Sequence, residues 1–179
     1  MTKREIRVQL LAELNLPKEG IIWDIGSGVG SIGLEALRIS PNLNLVSIDK
    51  RIGSKNIIEE NARRLNVKPS LIVEDEVLKT LRENKITHNL LHPDRVIVGG
   101  GGSNIELIIE EVLKNINSFC IIIIPLISLK SLSKLESILK PKFKKFSISQ
   151  HQSYRGVNIG EDIRLSPLNP VFILKGEIQ

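Results

Sequence analysis

Three glycines alternate along one short stretch of the chain. Gly26, Gly28 and Gly30 stand directly behind an acid, Asp24, in the run Ile21 to Gly33, IIWDIGSGVGSIG. Residues of these types at this spacing make a cradle for a ligand rather than a reacting group. Glycine reaches positive φ and leaves its backbone bare, so a bound molecule can approach the peptide groups closely. An apolar run precedes the glycines (Ile21, Ile22, Trp23), and an apolar-periodic segment follows (Ile32, Leu34, Ala36, Leu37); together they read as strand, turn and helix. Such a turn after a first parallel strand builds a nucleotide-type cofactor site at the carboxyl edge of a sheet. A second acid, Asp49, closes LVSIDK 21 residues after Gly28, where a ribose-hydroxyl acceptor stands in sites of this kind. A third acidic group, Glu74-Asp75-Glu76, follows another short apolar run. There Asp75 could accept from an adenine amino group, with Glu76 contributing mainly through its backbone. The alternative is that these acids match the dipole of the helix that VLKTLRE begins.

Two fingerprints overlap in the glycine stretch. Gly28 to Gly33 fits GxGxxG, the dinucleotide pattern, and a nicotinamide-dependent oxidoreductase is the alternative it carries. Asp24 to Gly30 fits DxGxGxG and resembles the first motif of class I S-adenosylmethionine-dependent methyltransferases. Charge separates the two. A dinucleotide sets an anionic pyrophosphate at the helix start, where a carboxylate repels it. S-adenosylmethionine instead brings a cationic sulfonium and a cationic amine, which Asp24 would help to hold. The expected cofactor is therefore S-adenosyl-L-methionine, bound by Asp24, Gly26, Ser27, Gly28, Val29, Gly30, Asp49, Asp75 and Glu76. A tight structural turn with no ligand is the remaining reading.

The elements that must position these residues follow in order. Met1 to Leu14 reads as a helix with Ile6, Leu10 and Leu14 on one face, and Thr2 with Glu5 three residues on has the capping-box pattern. Helices are expected from Gly30 to Ser40, Ile52 to Leu65, Ile105 to Leu113 and Ser128 to Leu139. Strands are expected at Leu43–Ile48, Leu71–Val73, Arg95–Val98, Cys120–Ile124, Phe143–Ser149 and Pro170–Lys175. The fourth strand runs into Gly99-Gly100-Gly101-Gly102. Four glycines there suit something flat or bulky lying against backbone, or else a flexible hinge. Asn84 to Pro93 reads as a loop; His88 and His92 lie in it with no cysteine or second acid at ligand spacing, so no metal site is expected. Gln150 to Ser166 reads as a polar loop carrying Tyr154, Arg155 and Arg164. Strands alternating with helices, then a closing strand pair, give an α/β, Rossmann-like fold with a mostly parallel seven-stranded sheet, helices on both faces and an antiparallel last strand.

Bulk properties narrow the class. A chain of 179 residues reads as a single domain, 1–179, with enough length for a real core. No apolar run approaches the about 18 residues a membrane span needs, so no membrane partner is expected. The lone Cys120 cannot form an intramolecular disulfide and fits a reducing cytoplasm. The net charge of +5 suits either a lysine-rich solvated surface or an anionic substrate, nucleic acid or a polycarboxylate. Aromatic residues make up only 3% of the chain, which leaves little for base stacking and argues against a nucleic-acid partner. A class I RNA methyltransferase is the alternative that the charge keeps open, although glycines stand where an Asn/Asp-Pro-Pro-Tyr-type motif would follow the fourth strand.

Three further segments narrow the resemblance. Met1-Thr2-Lys3-Arg4-Glu5-Ile6-Arg7, Pro93-Asp94-Arg95-Val96-Ile97-Val98-Gly99-Gly100 and Asn169-Pro170-Val171-Phe172-Ile173-Leu174 resemble, in order, the decarboxylating precorrin-6B C15-methyltransferases of cobalamin biosynthesis, across essentially the whole chain. The resemblance implies S-adenosylmethionine-dependent methylation of C15 of a (cobalt-)precorrin-6B tetrapyrrole, with loss of the C12 acetate carboxylate as CO2. It adds Thr2 to the cofactor site. It implies that Gly100, Gly101 and the loop at Arg155 face the macrocycle, with Arg155 and Arg164 as partners for its carboxylates. Lys3 and Arg7 are further candidates for that pairing. It implies a homo-oligomer, the family tending to tetramers. No general acid or nucleophile is singled out. The chain departs from the family in having Glu74-Asp75-Glu76 where glycine, aspartate and alanine are frequent, Pro125 where asparagine is common, and no short segment ahead of the Met1-Thr2-Lys3 motif.

Overall fold

The computed structural model describes residues 2–100, 102–116 and 119–178. Its elements are α1 (Arg4–Leu14), β1 (Glu19–Ile25), α2 (Ser31–Ile39), β2 (Asn42–Asp49), α3 (Ser54–Leu65), β3 (Leu71–Glu74), α4 (Val77–Arg82), β4 (Arg95–Val98), α5 (Ile105–Lys114), β5 (Cys120–Leu126), α6 (Leu129–Leu139), β6 (Lys145–His151), β7 (Tyr154–Ile159), β8 (Asp162–Pro167) and β9 (Val171–Ile178). Seven strands form one sheet in the order β3-β2-β1-β4-β5-β9-β6. The first five pair in parallel, and β9 runs antiparallel between β5 and β6. This is the expected seven-stranded α/β architecture.

Strand alternation assigns each helix its face. In β1, Ile22 joins Leu45 and Ile97 in a core shared with α1, α2 and α3. Trp23 and Ile25 join Val46, Val96 and Val98 in a second core with α4, α5 and α6 on the other face. The same alternation turns Asp24 toward α2. Burying both sheet faces in this way accounts for the unbroken apolar runs of β4 and β5.

The order of the strands reverses direction between β1 and β4, and this switch point opens a crevice beyond their carboxyl ends. Two glycine loops meet there. Gly26, with φ +69°, packs backbone to backbone against Gly99 and Gly100: a Cβ on Gly26 would fall 3.0 Å from the Gly100 nitrogen. Part of the glycine run is thus explained by one loop pressing on another. Gly101 lies outside the described residues, as does Met1 at the start of the expected first helix.

Three segments depart from expectation. Lys3, not Thr2, is the N-cap of α1, and no side chain caps it. The Thr2 carbonyl instead accepts from Arg7 Nη1 at 2.8 Å, and Glu5 turns away to Arg155. The polar stretch Gln150 to Ser166 is not a loop: β6 extends to His151, and β7 and β8 pair antiparallel as a separate hairpin around Gly160, at φ +58°. The loop from Asn84 to Pro93 contains a single helical turn, His88–Leu90, whose Leu90 carbonyl accepts from the buried Trp23 indole at 2.9 Å.

The segment Pro93 to Val98 holds the frame together. The Asp94 carboxylate accepts from the Ile21 N–H at 2.7 Å. Arg95 is buried and donates to the carbonyls of Leu14 (2.6 Å), Asn15 (2.7 Å) and Asp94 (2.7 Å). A guanidinium in that position satisfies carbonyls that the end of α1 would otherwise leave unpaired.

Candidate functional site

A cavity of about 380 Å3 lies in the crevice, within the roughly 300–1,000 Å3 of small-molecule sites. Its walls bring together Thr2, Asp24, Gly26, Ser27, Gly28, Val29, Asp49, Glu76 and Gly100 from the residues singled out in the sequence. Gly30 stands behind the wall as the N-cap of α2, at φ +75°.

Asp24 is 1% exposed. Its Oδ2 accepts from the Gly33 N–H at 3.0 Å, the carboxyl group's sole hydrogen bond among the described residues. Gly33 permits that approach, because a Cβ there would meet Leu45 at 2.7 Å and the Asp24 carboxylate at 3.0 Å. The donor belongs to the open first turn of α2, whose partial positive charge favours an anion. Burial nevertheless dominates and raises the Asp24 pKa to about 7; the Gly33 N–H opposes the rise and the Asp49 charge adds to it.

Asp49 ends β2 as a mostly buried carboxylate. Burial opposes its ionisation, but hydrogen bonds from the Arg51 side chain, the Arg51 backbone and Gly28 outweigh it and hold the pKa below the usual carboxylate range. Oδ2 accepts from the Gly28 N–H at 2.6 Å, and Oδ1 accepts from Arg51 N at 3.0 Å and Arg51 Nε at 2.9 Å. The Arg51 guanidinium therefore lies across the acid. Its Nη2 also sits over Gly28, 2.8 Å from where a Cβ would stand.

The structure separates Glu74, Asp75 and Glu76. The Glu74 carboxylate accepts from the Lys55 N–H at 3.0 Å, at the start of α3. Asp75 does not line the cavity. It pairs with Lys85 and Lys79, and the Lys85 ammonium lowers its pKa to about 2. Glu76 does line the cavity, and its carboxylate caps α4 by accepting from the Lys79 N–H at 2.9 Å.

Arg155 and Arg164 project from the β7–β8 hairpin rather than from the crevice. Arg155 forks onto Glu5 of α1, with Nη2 at 2.9 Å from both carboxylate oxygens. Arg164 is exposed, opposite Val157 in the hairpin. Arg7 pairs with Glu35 at 2.8 Å.

Sequence reasoning passed over Arg51, Val77 and Asn104 in the cavity wall, and noted Pro125 only as a departure from the family pattern. Arg51 and Val77 were detectable, standing two residues past Asp49 and directly after Glu76; Asn104 and Pro125 reach the site only through the fold. Among the described residues no histidine, cysteine and acid side chains gather into a group able to hold a metal ion. Cys120 is no exposed nucleophile: it is buried in β5, and burial pushes its thiol up to about 12. The site offers a hydrogen-bonded acid at the end of each of two parallel strands, bare backbone between them and, among the described residues, no activated nucleophile.

Known proteins resemble this chain. A family described as precorrin methyltransferase domain matches residues 1–176. A relative in Pyrobaculum aerophilum, described as a probable decarboxylating cobalt-precorrin-6B C(15)-methyltransferase, is 34% identical over 97% of this chain and 87% of its own. One of the same description in Saccharolobus solfataricus is 30% identical over 99% of this chain and 88% of its own. The crystal structure of a precorrin-6y C5,15-methyltransferase from Geobacter metallireducens shares the fold with a TM-score of 0.86 at 23% identity, covering 100% of this chain and 90% of that one. With a family match spanning nearly every residue, the chain belongs to the precorrin methyltransferase domain family.

Proposed function

We propose that the chain uses S-adenosyl-L-methionine to methylate C15 of (cobalt-)precorrin-6B with loss of the C12 acetate carboxylate, giving (cobalt-)precorrin-7 in cytoplasmic cobalamin biosynthesis. The observation that carries this reading is the pair Asp24 and Asp49 facing one cavity across a bare glycine loop. Relatives named for this reaction over nearly the full length support it.

The described residues fit S-adenosylmethionine. Asp24 has a buried carboxyl group with a single protein donor, and a nearby cation favours its charged form. Asp49 is already ionised, and its oxygens suit a ribose diol once the Arg51 side chain moves aside. Glu76 and Val77 border the same cavity at the start of α4, the end left for the adenine. When bound, S-adenosylmethionine supplies an electrophilic methyl group on its sulfonium. The work left to the protein is orientation, which contributes up to about 7–11 kcal/mol when reacting atoms are well placed. Replacing a ring C–H by C–CH3 releases one proton, and replacing a side-chain carboxylate by hydrogen takes one up. The paired changes therefore need no net proton from a side chain.

We also propose that the protein works as a homo-oligomer. A lone two-stranded hairpin is marginal in water, yet β7–β8 stands outside the main sheet. Tyr154, Ile163 and Leu165 fall on the hairpin face opposite Arg155; Ile163 is 65% and Leu165 71% exposed. A second copy of the chain would cover that face.

Mass spectrometry of the tetrapyrrole after incubation with cobalt-precorrin-6B and methyl-labelled S-adenosylmethionine tests the reaction. The expected product has gained one labelled methyl and lost CO2. A methyl gain with the carboxylate retained would remove the decarboxylation from the reading, and an unchanged tetrapyrrole would overturn it.

A further inference from the structure

The cofactor cavity opens into a second, larger pocket of about 640 Å3. Thr2, Gly99, Gly100 and Pro125 line both, so the seam between them is largely backbone. Past the seam the walls change character. Ile6, Ile105, Leu126 and Ile127 bring apolar surface, with Ile127 79% exposed, beside the polar Ser128, Ser131 and Asn169. Lys3 is the one charged side chain among the described residues of this wall. Lys3 makes no ion pair with a described residue, whereas Arg7 and Arg155 are each engaged by a glutamate. An unneutralised ammonium beside an exposed apolar surface fits a ligand that is flat and apolar in its body and anionic at its margin.

Resting on the reaction proposed above, we infer that this second pocket receives one edge of the macrocycle. Lys3 grips a carboxylate that the product keeps. C12 belongs to the ring that flanks the C15 bridge, so both reacting positions lie on the edge that enters. The carboxylate that leaves must stand away from Lys3. An ion pair stabilises a localised carboxylate more than the charge-dispersed transition state of CO2 loss, so pairing the departing group would slow its loss. As the bond between the side-chain CH2 and the carboxylate carbon breaks, its electron pair passes into the conjugated ring and CO2 departs. The CH2 carbon then takes up a proton from solvent, matching the one released at C15. The assignment gives Lys3 a positioning role and makes the pocket selective for polycarboxylated macrocycles.

Uroporphyrin, an octacarboxylate, probes the pocket by fluorescence titration of the full chain, with adenosylhomocysteine affinity measured alongside. Lys3→Met is expected to weaken uroporphyrin binding about tenfold, the loss of one charge-assisted contact, while Lys3→Arg restores it and adenosylhomocysteine binds both variants as it does the parent. Equal uroporphyrin affinity in the parent and Lys3→Met would overturn the anchor. With cobalt-precorrin-6B, Lys3→Met is expected to raise KM while CO2 release still accompanies each methyl transferred, and methylated product that keeps its carboxylate would overturn the assignment of Lys3 to a retained carboxylate. Failure of the parent chain to bind adenosylhomocysteine would instead count against the methyltransferase reading, so the two failures are told apart.

Discussion

Asp24 sets a tension between folding and binding. Its pKa rises from 3.8 to about 7 on folding, with burial as the main cause, so between those values the folded chain holds a proton that the unfolded chain has lost. The contribution to stability is whole below about pH 4 and disappears as the pH climbs through 7. Asparagine can still accept from Gly33 and never ionises. The melting temperature of Asp24→Asn minus that of the parent should widen from about pH 4 to about pH 7 and then level off, while adenosylhomocysteine affinity drops. A gap that ignores pH would refute this account of Asp24. Arg51 gives the converse case. Its guanidinium occupies Asp49 and overlies Gly28, so Arg51→Ala should bind adenosylhomocysteine several-fold more tightly by calorimetry; weaker binding would mean that the guanidinium touches the ligand. Both acids were legible in the sequence, since the type and spacing of Asp24, the glycines and Asp49 encode the cradle directly. The surroundings of Asp75 were not, because Lys85 reaches it only through a turn ten residues on.

The β7–β8 hairpin is the element that sequence patterning hid. Strand alternation is present, but Val157 and Ile159 fall on one face while Ile163 and Leu165 fall on the other. Neither face reads as buried, and interspersed Arg, Asn and Asp give the stretch a loop's composition. By contrast, β1, β4 and β5 were plain, because strands covered on both sides need no alternation. The face carrying Leu165 is free in one copy of the chain, and the other face is tied to α1 through Arg155 and Glu5. Light scattering should find the parent chain at a multiple of its 20.0 kDa, and Leu165→Glu should shift it toward one copy, since a carboxylate on an apolar contact leaves a charge unpaired. A parent chain that already runs as one copy would rule out the hairpin as an assembly surface.

At the scale of the whole molecule, the alternation within β1 sorts the described helices onto two faces and leaves a crevice at the strand switch. Ligand binding there should stabilise the fold as a unit. At 100 times its Kd, adenosylhomocysteine adds about 2.7 kcal/mol, equivalent to roughly 5–10 °C in melting temperature for a chain of this size. NAD should add nothing, and a shift with NAD alone would favour the dinucleotide reading of Gly28 to Gly33. The α/β class and its mostly parallel seven-stranded sheet followed from apolar runs and turn residues; the second pocket did not, since Lys3, Ile127 and Asn169 meet only in three dimensions. The buried clamp of Asp94 and Arg95 has its own consequence for kinship. These residues hold α1 and β1 to the sheet and lie apart from both pockets. A descendant that lost Asp24 and Asp49 would keep the clamp, since its fold depends on it, and would still look like kin. Loss of Asp94 or Arg95 would therefore cost the frame itself, whatever becomes of Asp24 and Asp49.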